Sequence, residues 1–106
     1  MIQSKVFIIQ DDGSRDFSDA RRFGQLVPLV ERDIFADDAE ERSAKVAAII
    51  DAKLRDFLPK FDYILLTGDP AAIISVGLWL GYAYGGQAVR VLKWDKENHG
   101  YYAIEV

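Results

Sequence analysis

Two short segments are apolar along nearly their whole length, and they restrict the possible folds more than any other feature of the sequence. Residues 5–10 have the sequence KVFIIQ, and residues 63–67 have the sequence YILLT. A strand with one face in solvent alternates apolar and polar residues, whereas a strand covered on both faces is apolar throughout. Since doubly covered strands are typical of parallel sheets with helical crossovers, both segments predict central strands of an α/β fold.

Three further strands are predicted from the remaining sequence. Residues 26–30 contain Pro28, which cannot donate a ladder hydrogen bond, so this strand belongs at a sheet edge. Residues 89–94 and 101–106 flank a polar turn and alternate as an antiparallel hairpin does. With right-handed crossovers, the simplest arrangement is a mainly parallel five-stranded sheet of order 2-1-3-4-5 whose last strand is antiparallel. We expect one α/β sandwich domain over residues 1–106.

Three helices are expected to connect the parallel strands and to cover both faces of the sheet. Phe17, Ala20 and Phe23 recur at every third position and predict a short helix. Ser18 or Asp16 would be its N-cap, and Gly24 follows its C-terminus. An apolar stripe at helical spacing predicts a longer helix that begins at Asp37 or Asp38, in a pattern like a capping box, and ends before Pro59. The third helix is predicted over residues 70–84, where a proline suits the first helical position.

Composition excludes several classes of function. The chain has no cysteine and one histidine, which excludes thiolate nucleophiles and Cys-based metal sites and makes a zinc site improbable. A net charge of −4 argues against nonspecific binding of nucleic acid, because such binding needs a basic surface to neutralise phosphates. The N-terminus lacks a signal-peptide pattern, and no apolar segment reaches the roughly 20 residues of a membrane span. We therefore expect a cytoplasmic protein that does not enter the membrane.

A ligand site is expected where the chain reverses direction between the first and third strands. In open α/β sheets, ligands bind beyond the carboxyl ends of the strands at this reversal. The loops that meet there, together with the end of the fourth strand, contribute Asp11, Asp12, Ser14, Thr67, Gly68, Asp69 and Trp94. Backbone N–H groups near Gly68 and the Thr67 hydroxyl could hold a small anionic ligand.

Two interpretations of the acidic residues in these loops stay open. Asp11, Asp12 and Asp69 could converge on Mg²⁺, which prefers oxygen ligands, and could support a phosphoryl-transfer or phosphoesterase activity. Alternatively, Asp11 and Asp12 are turn residues and Asp69 only caps the following helix. No glycine-rich phosphate motif or serine nucleophile motif occurs, and His99 lies in the predicted hairpin turn.

The third predicted helix contains no charged side chain, which indicates that it is covered on every side. One face covers the sheet, and a chain of this size has little else to cover the other. We therefore expect a homodimer whose interface is built on Leu78, Trp79 and Tyr82. Glycine recurs at every fourth position of this segment, at Gly77, Gly81 and Gly85. This spacing allows close backbone approach, either at such an interface or within the chain.

Several stretches of the sequence resemble a family of small, mostly uncharacterised bacteriophage proteins. They are Asp16-Phe17-Ser18, Ala20, Phe23-Gly24, Leu26-Val27, Asp62-Tyr63-Ile64-Leu65-Leu66-Thr67, Leu92-Lys93-Trp94-Asp95, Tyr101-Tyr102 and Ile104-Glu105-Val106. The resemblance implies a phage-encoded accessory protein that acts in the host cytoplasm, and it implies no catalytic residue. The uncharged helix and the lack of a catalytic motif favour a homo-oligomeric binding module for a small ligand or a host protein. A magnesium-dependent enzyme and a structural virion component are the alternatives.

Overall fold

Strands and helices alternate along the chain as far as the fourth strand. The structure is a computed structural model that describes residues 3–31 and 39–106. The elements in chain order are β1 (Lys5–Gln10), a 3₁₀ helix (Ser18–Arg22), β2 (Gln25–Val30), α1 (Ala39–Leu54), β3 (Tyr63–Leu65), α2 (Pro70–Tyr84), β4 (Arg90–Asp95) and β5 (Gly100–Glu105). The helix start expected at Asp37 or Asp38 lies outside the described residues.

The five strands form one sheet of order β2-β1-β3-β4-β5. β1 is parallel to β2 and β3, β3 is parallel to β4, and β4 and β5 are antiparallel. β2 lies at the edge of the sheet, with Pro28 opposite Ile8 in the ladder. This order confirms the prediction, because the doubly covered strands occupy the centre and the proline-containing strand takes an edge.

The side chains of β1, β3 and β4 alternate between two apolar clusters on opposite faces of the sheet. α1 and α2 cover the face that includes Phe7, Ile9 and Val91. On the other face, residues of β1, β3, β4 and β5 pack with the 3₁₀ helix and the residue before it. This cluster is Val6, Ile8, Phe17, Ala20, Leu65, Leu92 and Tyr101. Both faces are therefore covered by helices, as predicted. The connection from β1 to β2 leads toward one edge of the sheet, whereas the connections from β2 to β3 and from β3 to β4 lead toward the other edge. Since all three are right-handed, the first lies on the opposite face from the other two.

Two helices differ in extent or type from the sequence prediction. The residues predicted as a short α-helix form the 3₁₀ helix, whose five residues are too few for a stable α-helix. α1 ends at Leu54, earlier than the expected stop before Pro59. Phe57 follows this end, and its ring packs edge-on against Phe7 with centroids 5.7 Å apart. Phe57 is buried in the core together with Leu54, the last residue of α1, so the apolar stripe continues past the end of the helix.

A helix that spans a membrane must be both long and apolar. Within residues 3–31 and 39–106, no helix combines the length and the apolar character that crossing a bilayer requires.

Candidate functional site

A polar cavity of approximately 370 Å³ lies at the carboxyl ends of β1 and β3. Its lining residues are Gln10, Asp12, Ser14, Arg15, Phe17, Thr67, Gly68 and Asp69. The structure therefore brings together five residues that the sequence placed at this site. Asp11 and Trp94 are not among the residues that line this cavity, and Gln10, Arg15 and Phe17 are lining residues that the sequence did not predict.

The first loop of the cavity is organised by two aspartates that hydrogen-bond within the loop itself. Asp11 Oδ1 accepts the N–H of Gly13 at 3.0 Å. Asp12 Oδ1 accepts both the N–H of Ser14 at 2.9 Å and its hydroxyl at 2.5 Å. The hydrogen bond from the Ser14 hydroxyl is the main cause that holds the pKa of Asp12 below its usual value, and the hydrogen bond from the Ser14 N–H lowers it further. Both aspartates thus act as turn residues, as one of the two sequence interpretations stated.

The second loop is joined to β1 through Gln10. Gln10 Oε1 accepts the backbone N–H of Asp69 at 2.7 Å, and Asp69 Oδ1 in turn accepts the N–H of Ala71 at 2.7 Å. Asp69 is therefore the N-cap of α2, as predicted. Gly68 has a φ of +104°, and a Cβ built there would lie 2.4 Å from Gln10 Cβ. Glycine is required at this position both for its backbone conformation and for this close contact.

The expected convergence of Asp11, Asp12 and Asp69 on a metal ion is not found in the structure. Among the described residues, no group of three or more His, Asp and Glu side chains is arranged to hold a metal ion. Each of the three carboxylates instead accepts the backbone N–H of the residue two positions further along the chain. Each of the three carboxylates uses its Oδ1 atom for these local hydrogen bonds.

Trp94 lies at the end of β4 and packs within the antiparallel hairpin. Its ring meets that of Tyr101 edge-on, with centroids 5.0 Å apart, and its side chain is partly exposed. β3 separates β4 from β1 in the sheet, and Trp94 does not line the cavity at the ends of β1 and β3. The hairpin pairing that puts Trp94 opposite Tyr101 accounts for this position.

The predicted interface residues of α2 divide into two kinds. Leu78 is 71 % exposed and Tyr82 is 95 % exposed, and Ile74, which the sequence analysis did not single out, is 61 % exposed. Trp79 is half-buried, and its indole N–H donates to Asp51 Oδ1 of α1 at 3.2 Å. Leu78 and Tyr82 therefore remain open to a partner, whereas Trp79 joins α2 to α1 within the chain.

A groove of approximately 590 Å³ runs between α1 and α2, beside the exposed residues of α2. It is lined by Ser43, Val46, Ala47, Ile50, Ala71, Ala72, Ser75, Leu78, Trp79 and Tyr82. A second groove, of approximately 510 Å³, lies on the other side of α2, between the helix and β3, β4 and β5. Gly77, Gly81 and Gly85 are among the residues that line it. α2 therefore stands as a ridge between two largely apolar grooves.

The regular glycine spacing in α2 does not serve close packing among the described residues. A Cβ built at Gly77 or Gly81 would meet no other atom within 4 Å. A Cβ built at Gly85 would lie 3.0 Å from the carbonyl oxygen of Gly81. Close approach within the chain, one of the two interpretations of this spacing, therefore does not explain Gly77 and Gly81.

A comparison with protein families covers nearly the entire chain. Residues 4–106 match the model of a family described as phage Pam3 gp32-like protein. The chain belongs to this phage protein family. Membership in the Pam3 gp32-like family confirms the resemblance seen in the sequence and supports a phage-encoded accessory protein. No curated protein and no solved structure matches the chain.

Proposed function

We propose that this member of the Pam3 gp32-like family is a homodimeric accessory protein of the host cytoplasm that uses α2 as its self-association surface. The observation that carries the proposal is the exposure of Ile74, Leu78 and Tyr82 along one face of a helix without a charged side chain. Large apolar side chains exposed side by side cost solvation free energy, which a partner surface would recover.

Charge favours a second copy of the chain as the partner. In a dimer with a two-fold axis, each surface patch meets its own copy, so a charged patch would face like charge. The chain carries a net charge of −4, and two copies repel one another over much of their surface. Pro70–Tyr84 lacks aspartate, glutamate, lysine and arginine, so two α2 helices can meet without this penalty.

The shape of the surface also suits self-association. A patch that pairs with itself must contain both a projection and a recess that can receive it. Tyr82 is the projection, since it is 95 % exposed, and the groove of approximately 590 Å³ between α1 and α2 lies directly beside it. Two-fold packing would let the Tyr82 of each copy enter the groove of the other, with Leu78 near the axis.

The exposed side chains of α2 supply about half of the surface that a standard dimer interface buries. If a large side chain exposes on the order of 200 Å², covering Ile74, Leu78 and Tyr82 removes roughly 400 Å² of surface per copy. A standard interface buries about 800 Å² per partner. The walls of the adjoining groove are also largely apolar and would add to this area.

Sedimentation equilibrium across the micromolar range tests the proposal. We expect a dimer whose fraction rises with concentration, and a monomer for Leu78→Glu, because the dimer would bury the new carboxylate without a partner. Leu78 is exposed, so far-UV circular dichroism should be unchanged. The control is Ala52→Glu, which adds the same charge at an exposed position of α1 outside the groove and should remain dimeric.

A wild-type protein that remains monomeric at every concentration would overturn the proposal. Dimerisation that Leu78→Glu leaves intact would also overturn it, because the interface would then lie elsewhere. If the monomeric protein binds a host protein and Leu78→Glu abolishes that binding, α2 is a hetero-association surface instead of a dimer interface.

A further inference from the structure

Thr67 presents a buried hydroxyl to the polar cavity at the carboxyl ends of β1 and β3. Its side chain is 9 % exposed and lines the cavity, and its hydroxyl makes no hydrogen bond with another described residue. Among the described residues, Arg90 Nε is the only side-chain polar atom that is both fully buried and without a hydrogen-bond partner. Since the Thr67 oxygen also lacks a partner but is not in this category, it is not fully buried. An accessible hydroxyl without a protein partner can bind a ligand that enters this cavity.

The charged groups around the cavity also retain free hydrogen-bonding capacity. Asp12 and Asp69 use Oδ1 for their own loops, and the Oδ2 atom of each accepts no hydrogen bond from a described residue. Arg15 is exposed and forms no ion pair with the described residues. Among the residues that line the cavity, Arg15 carries the one positive charge, and the two aspartates carry negative charges.

We infer that the cavity is a binding site for a free basic amino acid, the class represented by lysine and arginine. The two carboxylates would bind its two cationic groups, Arg15 would bind its carboxylate, and Thr67 would complete the hydrogen bonds of the polar end. Phe17 is buried and forms a small apolar part of the wall of this otherwise polar cavity.

Charge distinguishes this ligand class from simpler ions. An anion without a cationic group would be attracted by Arg15 and repelled by Asp12 and Asp69, whereas a simple amine would leave Arg15 unpaired. A molecule with two positive groups and one negative group matches the three charges of the cavity. The volume of approximately 370 Å³ lies within the range of small-molecule sites, about 300–1,000 Å³.

This site is independent of the proposed dimer, since it lies at the strand ends and not on α2. The same measurements on the Leu78→Glu protein therefore separate the two proposals. Binding that persists in that variant supports the site whether or not the wild-type protein dimerises.

Titration of ¹⁵N-labelled protein with lysine and with arginine, followed by amide chemical shifts, tests the inference. We expect saturable shifts at residues 12–15 and 67–69, and weaker binding of glutamate, butylamine and acetate. Arg15→Gln and Thr67→Val should each weaken lysine binding by about tenfold, as expected for a lost hydrogen bond to a charged group. Thr67→Val keeps the shape of the side chain and removes a hydroxyl that the fold does not use.

Arg21→Gln is the matched control, because it removes an equal charge at an exposed position that does not line the cavity. It should leave the affinity for lysine unchanged. The absence of saturable shifts with both lysine and arginine would overturn the inference. Equal binding of glutamate, butylamine or acetate, or lysine affinity unchanged in both Arg15→Gln and Thr67→Val, would overturn it as well.

Discussion

Asp62 is a buried carboxylate that holds the start of β1 to the loop between α1 and β3. Its side chain is 1 % exposed, and both of its oxygens accept backbone N–H groups. Oδ1 accepts the N–H of Lys5 at 2.9 Å, and Oδ2 accepts the N–H of Leu58 at 2.8 Å. These contacts connect Asp62 to positions 57 residues and 4 residues away in the sequence. Asp62→Ala therefore removes two hydrogen bonds at once and leaves both donors without a protein partner.

The expected loss of stability follows from these two contacts. A hydrogen bond to a charged group contributes about 1.5–3 kcal/mol, so losing both would cost roughly 3–6 kcal/mol. The variant no longer buries a charge, and water can reach the vacated space, so we expect a net loss of about 3 kcal/mol. Because a domain of this size is stable by only about 5–15 kcal/mol, this loss is large. It corresponds to a decrease in Tm of roughly 15 °C.

Urea unfolding, followed by far-UV circular dichroism and tryptophan fluorescence, measures this loss directly. The midpoint should fall while the slope with urea stays the same, since the area exposed on unfolding is unchanged. Asp62→Asn keeps one acceptor oxygen and should lose about half as much. Asp56→Ala, at an exposed position of the same loop, is the control. If Asp62→Ala unfolds within about 0.5 kcal/mol of the wild type, as surface variants do, the stabilising role assigned to this carboxylate is wrong.

Three further variants test the loop, the helix and the hairpin. Gly68→Ala should destabilise the protein by about 2 kcal/mol in urea unfolding, because the new Cβ meets Gln10 and the backbone has a positive φ. Gly77→Ala and Gly81→Ala should each stabilise dilute, monomeric protein by about 0.8 kcal/mol, since alanine favours helix and the added Cβ meets open space. Burial raises the pKa of Tyr101 above 10.0, so its contribution to stability is present below pH 10 and is lost as the pH rises through the raised value. Tyr101→Phe should not show this loss in unfolding measured against pH.

Each of these predictions has an outcome that contradicts it. Normal stability of Gly68→Ala would mean that the loop can relax away from β1. Destabilisation of dilute Gly77→Ala would indicate that some segment of the protein packs closely on that position. The same alkaline loss of stability in Tyr101→Phe and in the wild type would assign the loss to other groups.

Most of the fold could be predicted from the sequence because strand burial and proline position are local patterns. Apolar residues throughout Lys5–Gln10 identify a central strand without reference to any partner, and Pro28 identifies an edge. The position of the polar cavity could also be predicted, since the strand order determines which loops meet at the carboxyl ends of the strands. Asp12, Ser14 and Thr67 were predicted there for this reason, and the cavity includes all three.

The remaining features of the site depend on distances that a sequence pattern does not contain. Gln10 bonds to Asp69 across 59 residues, and only the register of β1 with β3 determines that these groups are within 2.7 Å. A polar residue at the end of an apolar strand was the available signal for Gln10. Arg15 has a comparable signal, since it is a cation in the loop that follows β1.

By itself, the sequence determined which segments are strands, which strand lies at the edge and which loops meet at the polar cavity. These three features depend only on neighbouring residues and on the handedness of the crossovers. Only the tertiary structure decided between the two interpretations of the aspartates, ended α1 at Leu54, and joined Trp79 to α1 while Leu78 stays exposed. The bond of Trp79 joins residues 28 positions apart and forms only when the packed helices bring these atoms into reach, whereas the aspartate bonds are local and the sequence left them open against a shared metal site.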